Sequence, residues 1–467
     1  MKTQDRLKLI MRLLLVVVVA VLLRLQPLPV GLRQAWGTAQ QGSLEGLQTA
    51  LAWQPWRGDL WESLGRELGT QGQAAEAAAA LEEAHRLGAL SAEGQVRLGD
   101  LYAELGQNER AEAWWFALLK QDSPPEAAYL RAAQVLRAGQ RWAELEDTLR
   151  SGLRVHPDSA ELSWQLGALL AASLDGGAEG YLRKAAPAEA TAAPAEALRQ
   201  ALLAAAASGG TEAYQRVWVG RALAGQGQWD LAELAFDQAV AADPSYAEAW
   251  AFRGEARYQT GADGGADVRQ ALKLNPQSIL AQALQALQYR RAGEGERALE
   301  ILRRVAAQEP QEPAWQLEMG YAFIEMGDSA AALPYFQKAV TLAPERAALW
   351  RELAQFCIQY DADARALGLP AARQAVLLAP QDARSQDVMG WVLMNLGDYA
   401  SAERFLQQAL SLEDRSAQIH LHLGQLYLQM EDMERAFPHL TRARSLGKGT
   451  ETEILAQRLL ERFFDGG

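Results

Sequence analysis

The segment GDYASAERFLQQAL at residues 397–410 repeats the outline of an earlier one, GQWDLAELAFDQAV at residues 227–240. A Gly, an aromatic residue, an Ala and a second Ala stand at the same places in both segments. Recurrence of one phrase at distant points of a single chain indicates an internal repeat. An array of repeats also accommodates 467 residues without one very large core.

The phrase belongs to a longer pattern of small and bulky residues. Met389-Gly390 is followed twelve residues later by Ala402, four later by Leu406 and three later by Ala409. Similar patterns follow other Gly residues, and most units step by 34 residues. The units begin near residues 58, 92, 126, 160, 213, 247, 279, 313, 347, 383 and 417. Small residues allow helix backbones to approach closely, large ones fill the space between helices, and Pro ends the second helix of several units.

This spacing resembles that of the tetratricopeptide repeat family over roughly residues 58–446. The resemblance implies an all-α fold, an α-solenoid in which helix–turn–helix repeats stack into a right-handed superhelix. It also implies a scaffold that binds other proteins, as a peptide or a helix, in a concave groove.

The N-terminus carries an apolar run at 13–23, preceded by Lys2, Arg6, Lys8 and Arg12. Basic residues before such a run favour a cytoplasmic N-terminus and a transmembrane signal anchor. A cleaved signal peptide and a buried or interfacial helix are alternatives. We therefore expect a single-pass protein of the cytoplasmic (inner) membrane, with its repeats outside the cytoplasm.

Composition shifts divide the chain further. The stretch at 187–212 is rich in Ala and Pro and is either a hinge between two arrays or an extra helix within one. The last helix is either a cap on the final repeat or a docking helix for a membrane or a partner. The expected segments are a cytoplasmic N-terminus and anchor at 1–26, a degenerate half-repeat at 27–57, an N-terminal array at 58–186, a linker helix at 187–212, a C-terminal array at 213–446 and a capping helix at 447–467.

The sequence gives no indication of catalysis. The net charge of −13 disfavours nucleic-acid partners. The single cysteine, Cys357, excludes an internal disulfide and a Cys-based metal cluster. His420 and His422 are two residues apart on a helix and therefore point in different directions. Neither HExxH, CxxC nor GxSxG occurs. We expect no catalytic, metal or cofactor site, and no enzyme.

The resemblance also identifies candidate binding residues, because positions 2, 5, 9 and 12 of each first helix line the groove in this family. In the N-terminal half these positions are charged, as at Asp59, Glu62 and Asp100. In the C-terminal half they are mainly apolar or aromatic, which is typical of a peptide- or helix-binding surface. The alternative is that these side chains only pack against neighbouring helices. The candidate residues are Tyr258, Leu287, Leu317, Tyr321, Ile324, Ile358, Trp391, Met394, Leu421 and Leu428.

Taken together, these features predict a non-catalytic, membrane-anchored scaffold for protein–protein interactions in bacterial envelope, secretion or polysaccharide assembly. The alternatives are a periplasmic scaffold that contacts carbohydrate or serves export, and an accessory subunit of an envelope enzyme. Family members that bind the acidic C-termini of chaperones carry Lys at position 5 and Asn at position 9 of the first repeat. That pairing does not occur here, which argues against this class of partner.

Overall fold

The computed structural model describes residues 43–464, and every regular element within that range is a helix. The predicted all-α repeat fold is thereby confirmed for these residues. The chain divides into two compact units, one reaching Asp243 and the other beginning at Pro244. The helices of the first unit are α1 (Leu44–Trp53), α2 (Gly58–Thr70), α3 (Ala74–Arg86), α4 (Ala92–Glu104), α5 (Asn108–Leu118), α6 (Glu126–Ala138), α7 (Trp142–Val155), α8 (Ala160–Ala172), α9 (Ala178–Ala185), α10 (Glu189–Ala207), α11 (Glu212–Gly225) and α12 (Trp229–Ala242).

The second unit continues the alternation of first and second helices. A short π-helical turn, Ala364–Gly368, precedes one of its second helices. The helices are α13 (Ala247–Gln259), α14 (Gly265–Leu274), α15 (Ile279–Arg291), α16 (Gly295–Gln308), α17 (Ala314–Glu325), α18 (Ser329–Leu342), α19 (Ala347–Gln359), α20 (Leu369–Leu378), α21 (Ala383–Asn395), α22 (Tyr399–Leu412), α23 (Ala417–Gln429), α24 (Met433–Leu446) and α25 (Glu451–Phe463).

Helix starts coincide with the repeat starts read from the sequence. Helices begin at Gly58, Ala92 and Glu126, and the later first helices also begin within one residue of the expected positions. Ser91 caps α4 by accepting a hydrogen bond from the Gly94 amide, which satisfies a donor that the helix itself leaves unpaired. The repeat in the sequence is therefore a repeat of helical hairpins.

The glycine at position 8 of a repeat lies where its two helices touch. A Cβ atom added to Gly220 would lie 2.5 Å from Cε1 of Phe236, and one added to Gly390 would lie 2.6 Å from Cγ of Leu406. Both partners belong to the second helix of the same repeat, and both are buried. The small residue of the first helix and the bulky residue of the second therefore share one packing site.

The turn between the two helices explains the rest of the recurring phrase. Gly227 and Gly397 adopt φ values of 72° and 82°, a region that is costly for residues with a side chain. Asp398 follows, and its carboxylate caps α22 by accepting from the Ser401 amide at 3.2 Å. The phrase thus encodes a tight turn, a cap and the first buried Ala of the second helix.

The Ala/Pro-rich stretch forms α10, which packs within the first unit against α8, α9 and α11. Thr191, Ala195 and Leu198 are buried on its inner face. At the other end of the chain, α25 packs on α24 and contributes Ala456 and Leu460 to a buried cluster. The domain boundaries given above stay a prediction.

The expected membrane localisation requires correction. No helix among residues 43–464 is long and apolar enough to cross a bilayer. The segment on which the anchor was predicted, 1–26, lies outside the described residues. For the part of the chain that the structure describes, the predicted single-pass localisation is therefore wrong.

Candidate protein-binding groove

Three cavities lie along the first helices of the last repeats, and we call this row the C-terminal groove. Their volumes are about 230, 310 and 360 Å³. Helices α17, α18 and α19 line the first cavity, α19, α21 and α23 line the second, and α21, α23 and α25 line the third. Because each cavity draws on successive first helices, the stacking of repeats itself creates the groove.

The first cavity is aromatic. The Tyr321 ring meets that of Phe336 edge-on with centroids 5.3 Å apart, and Phe336 stacks on Phe356 at 4.7 Å. Ile324 and Tyr360 complete its apolar lining. These side chains also belong to or pack against the main core of the second unit, so the core holds the cavity in shape.

A polar contact crosses the first cavity. The Tyr321 hydroxyl donates to a carboxylate oxygen of Glu352, which lies on the next first helix. Burial, followed by the hydrogen bond to Glu352, raises the pKa of the Tyr321 phenol. The phenol therefore stays protonated and acts as a donor at neutral pH.

The second cavity is polar and adjoins the first, with which it shares Glu352 and Gln355. It brings together charges of both signs. Its lining comprises Arg351, Glu352, Gln355, Arg384, Asp387, Glu413, Ser416, Gln418 and Ile419.

A buried polar chain forms one wall of the second cavity. Nδ1 of His422 lies 2.8 Å from Oδ1 of Asp387, and Nε2 of His422 lies 2.8 Å from the amide nitrogen of Gln418. Asp387 and His422 are only 5% and 2% exposed. The indole of Trp391 stacks on the imidazole with ring centroids 4.9 Å apart. These contacts hold the Asp387 carboxylate at the edge of the His422 ring and the Trp391 indole against its face.

The third cavity is largely apolar and includes the last helix. Trp391 and Leu428 come from the repeats, and Leu459 and Phe463 come from α25. Asn395, Gln425, Gln429 and Arg462 supply its polar groups. An apolar cavity with a few polar groups is the usual form of a site that receives a side chain.

The structure places the ten predicted residues in different environments. Tyr321, Ile324, Trp391 and Leu428 line the C-terminal groove and are half-buried. Leu317 and Ile358 are half-buried and pack against the core of the same unit. Leu287 is also half-buried.

The remaining three residues differ from this group. Met394 lines the third cavity but is almost fully buried. Leu421 is buried in the cluster that joins the last repeat to α25. Tyr258 is exposed and lines a separate cavity of about 340 Å³, where the Arg291 guanidinium lies 3.8 Å from the centre of its ring.

Sequence reasoning missed the polar members of the groove. Asp387 occupies position 5 of its repeat, one of the positions expected to line the groove, but only apolar residues were selected there. Leu459 and Phe463 lie in the helix that the sequence predicts as a cap, and the sequence does not place them in the groove. Because α25 folds back beside α23, the same helix supplies both a covering face and a groove wall.

The charged positions in the first unit have a different arrangement. Glu62 accepts a hydrogen bond from the Ser91 amide at 3.1 Å, and Asp100 binds the Arg131 guanidinium through both oxygens at 2.8 and 3.1 Å. These contacts link successive repeats. The charges of Glu62 and Asp100 therefore serve the stacking of helices.

Residues that could serve other chemistry are dispersed or buried. Among the described residues, no three His, Cys, Asp or Glu side chains form a group that could hold a metal ion. Burial raises the pKa of the Cys357 thiol to about 11, so this cysteine is a thiol at neutral pH and a poor nucleophile. His420 and His422 do point in different directions, towards His439 and Asp387 respectively.

Comparison with known proteins agrees with the architecture. Residues 63–127, 220–279, 283–347, 317–383 and 393–444 match models of the tetratricopeptide repeat, together more than half of the chain. A homologue of the BBSome complex member BBS4 from Drosophila melanogaster is 26% identical over 139 residues, which cover 30% of this chain and 28% of that protein. The chain thus matches well under half of that relative.

Solved structures of similar fold include yeast Tom70 and the APC/C hetero-tetramer Cut9–Hcn1. Tom70 superposes with a TM-score of 0.45 at 14% identity, over 92% of this chain and 95% of that one. The Cut9–Hcn1 chain gives 0.44 at 16% identity, over 92% and 94%. These likenesses concern the fold alone. The repeat matches, the nested hairpins and the 34-residue step place this chain in the tetratricopeptide repeat family.

Proposed function

We propose that this protein is a non-catalytic scaffold whose C-terminal groove captures a segment of another protein. The observation that carries the proposal is the apolar cavity around Trp391. Two successive first helices, α21 and α23, line it together with the last helix, α25. A cavity of about 360 Å³ has room for one large apolar side chain of a partner. Aromatic anchors in such cavities dominate the energetics of many protein interfaces.

The rigidity of the lining supports the same proposal. Trp391 is fixed by His422, and Tyr321 is fixed by Phe336 and Glu352. Side chains that are already ordered lose little conformational freedom when a partner binds, which favours affinity. The groove is thus suited to receive a peptide or helix without rearranging its core.

The aromatic contacts favour protein over carbohydrate as the ligand. One face of the Trp391 indole is covered by the His422 imidazole, and the Arg291 guanidinium covers a face of the Tyr258 ring. Stacking on a sugar needs an open ring face, and each of these two rings already has one face covered.

A double substitution tests the proposed function. Tyr321→Ala with Trp391→Ala removes the anchors of the first and third cavities, and we expect it to abolish recovery of partner proteins in affinity capture from native cell extract. The control is Leu377→Ala, which removes an apolar side chain that is 73% exposed on a second helix. Circular dichroism must give the same helix content for the wild type, the double variant and the control. Equal recovery of partners by the double variant and the control would disprove the groove as the binding site.

A further inference from the structure

We infer that the C-terminal groove selects segments that carry a basic side chain between two apolar anchors, with the basic group placed against Asp387. The inference rests on the proposed protein-binding function and adds the chemical class of the partner. It concerns the second, polar cavity. The proposed function relies on apolar anchors and leaves this cavity without a role.

The three cavities follow one another along successive first helices and alternate in character. The first and second share Glu352 and Gln355. The second and third share no lining residue, but Asp387 of the second and Trp391 of the third both contact His422. A segment lying along the groove therefore passes an aromatic cavity, a charged one and an apolar one in that order.

The charge of the second cavity is predominantly negative. It contains the carboxylates of Glu352, Asp387 and Glu413 and the guanidiniums of Arg351 and Arg384. Arg351 is already paired with Asp382, outside this cavity. The Tyr321 hydroxyl, the partner of Glu352, is neutral. When Arg351 is discounted, the described lining of this cavity has three carboxylates and one guanidinium. That guanidinium belongs to Arg384, which forms no ion pair among the described residues.

Asp387 is the carboxylate best placed to bind a cation. The Gln418 amide oxygen accepts from the Thr452 hydroxyl at 3.1 Å, which turns its nitrogen towards Nε2 of His422 as a donor. The imidazole proton then lies on Nδ1 and is donated to Asp387. In this arrangement His422 engages only Oδ1 of Asp387, and Oδ2 is left for a second partner.

A buried carboxylate with a hydrogen bond to only one of its oxygens is unfavourable, and an incoming cation relieves that cost. In the described residues, Oδ2 of Asp387 has no hydrogen-bond donor of its own. A lysine ammonium or an arginine guanidinium could bind there, whereas an acidic segment would meet like charge. The net charge of −13 also attracts basic partners.

Matched peptides test the inference on the full chain. The probes are fluorescein-labelled peptides with one Phe, one central Arg and one Leu, joined by Gly-Ser spacers of two to five residues. Two further sets carry Gln or Glu in place of Arg. By fluorescence anisotropy, we expect the best Arg peptide to bind about tenfold or more tightly than its Gln counterpart, the scale of a desolvated charge pair. The Glu peptide should be the weakest.

Two variants locate the selectivity. Asp387→Asn keeps an acceptor for His422 but removes the charge, and it should bring Arg and Gln peptides to within about twofold of each other. Glu434→Gln removes an exposed charge at the start of α24, outside the groove, and should preserve the preference. If Asp387→Asn fails to fold, Glu413→Gln and Glu352→Gln replace it, and their combination should reduce the preference.

The outcomes separate this inference from the proposed function. Equal binding of Arg, Gln and Glu peptides, lost in Trp391→Ala, would overturn the charge selectivity and leave the groove as a binding site. A preference for Arg that persists in Asp387→Asn would overturn the role of Asp387. Absence of binding by every peptide at every spacing would overturn both proposals.

Discussion

Gly220 illustrates how one residue fixes the contact between two helices. A Cβ at this position would lie 2.5 Å from Phe236, whose ring is 1% exposed and has no room to move. We expect Gly220→Ala to lower the free energy of unfolding by about 1–3 kcal/mol, as overpacking does. Gly180→Ala is the control, because no heavy atom lies within 4 Å of the added Cβ in α9. Urea denaturation should find the control unchanged or stabilised by up to about 1 kcal/mol. Equal loss in both variants would contradict the packing argument.

His420 and His439 make stability depend on pH. Their Nδ1 atoms lie 2.9 Å apart and share one proton, and burial lowers the pKa of both, that of His439 to about 4. The neighbouring charges are Arg442 and Asp414, and the Tyr427 ring packs on His439. In the unfolded chain a histidine has a pKa of about 6.5, so between about pH 6.5 and pH 4 the unfolded state binds protons that the folded state does not. The folded state therefore loses stability as the pH falls through this range.

A variant isolates this effect. Removing the second imidazole in His439→Gln should reduce the loss of unfolding free energy between pH 7 and pH 4 by about 1–3 kcal/mol. Denaturant titrations at several pH values measure that loss in both proteins. An identical pH dependence in variant and wild type would show that other groups control acid sensitivity.

Single residues also mark the limit of prediction from the sequence. Positions 5 and 12 line the groove in a generic repeat, and Leu421 and Met394 occupy them. Both are buried here because α25 covers the last repeat and the core of the second unit closes around α21. The repeat spacing fixes which face of a helix a residue occupies, but not whether another element covers that face.

The last helix, α25, covers the final repeat with its apolar face. Leu460 is 4% exposed and packs with Leu421 and Leu440. We expect Leu460→Ala to cost about 2–5 kcal/mol of unfolding free energy for the second unit. Ile454→Ala, on the same helix but 52% exposed, should change it by less than about 0.5 kcal/mol. Thermal unfolding followed by circular dichroism distinguishes the two, and comparable losses would contradict a covering role.

Helix positions were predictable, but their irregularities were not. The unit starting at 347 carries extra residues, and the sequence indicates an insertion near Gly368 and Pro370. The structure absorbs it as the π-helical turn at Ala364–Gly368, with Asp363 at a φ of 51° accepting from the Ala366 amide at 2.8 Å. The sequence shows where the extra residues lie. The backbone conformation that they adopt depends on how α19 packs against α20.

At the scale of the whole molecule, two kinds of contact join neighbouring repeats within each of the two units. Apolar side chains pack between hairpins, and ion pairs such as Arg131–Asp100 and Arg291–Glu255 connect first helices of adjacent repeats. Stability is then a sum over repeats and their interfaces. The C-terminal groove is a consequence of this stacking, since each of its cavities spans successive repeats.

The central claim, that the chain is a stack of 34-residue helical hairpins, is tested most directly by two deletions. Removing 313–346 excises one hairpin, α17 with α18, and brings α19 against α16 in the same orientation. Removing 313–329, half that length, excises α17, the following turn and the first residue of α18, and reverses every helix that follows. Circular dichroism with urea denaturation compares them. We predict a helical, cooperatively unfolding protein for the longer deletion and a marked loss of helix and cooperativity for the shorter one. A shorter deletion that is as helical and stable as the longer one would contradict the claim.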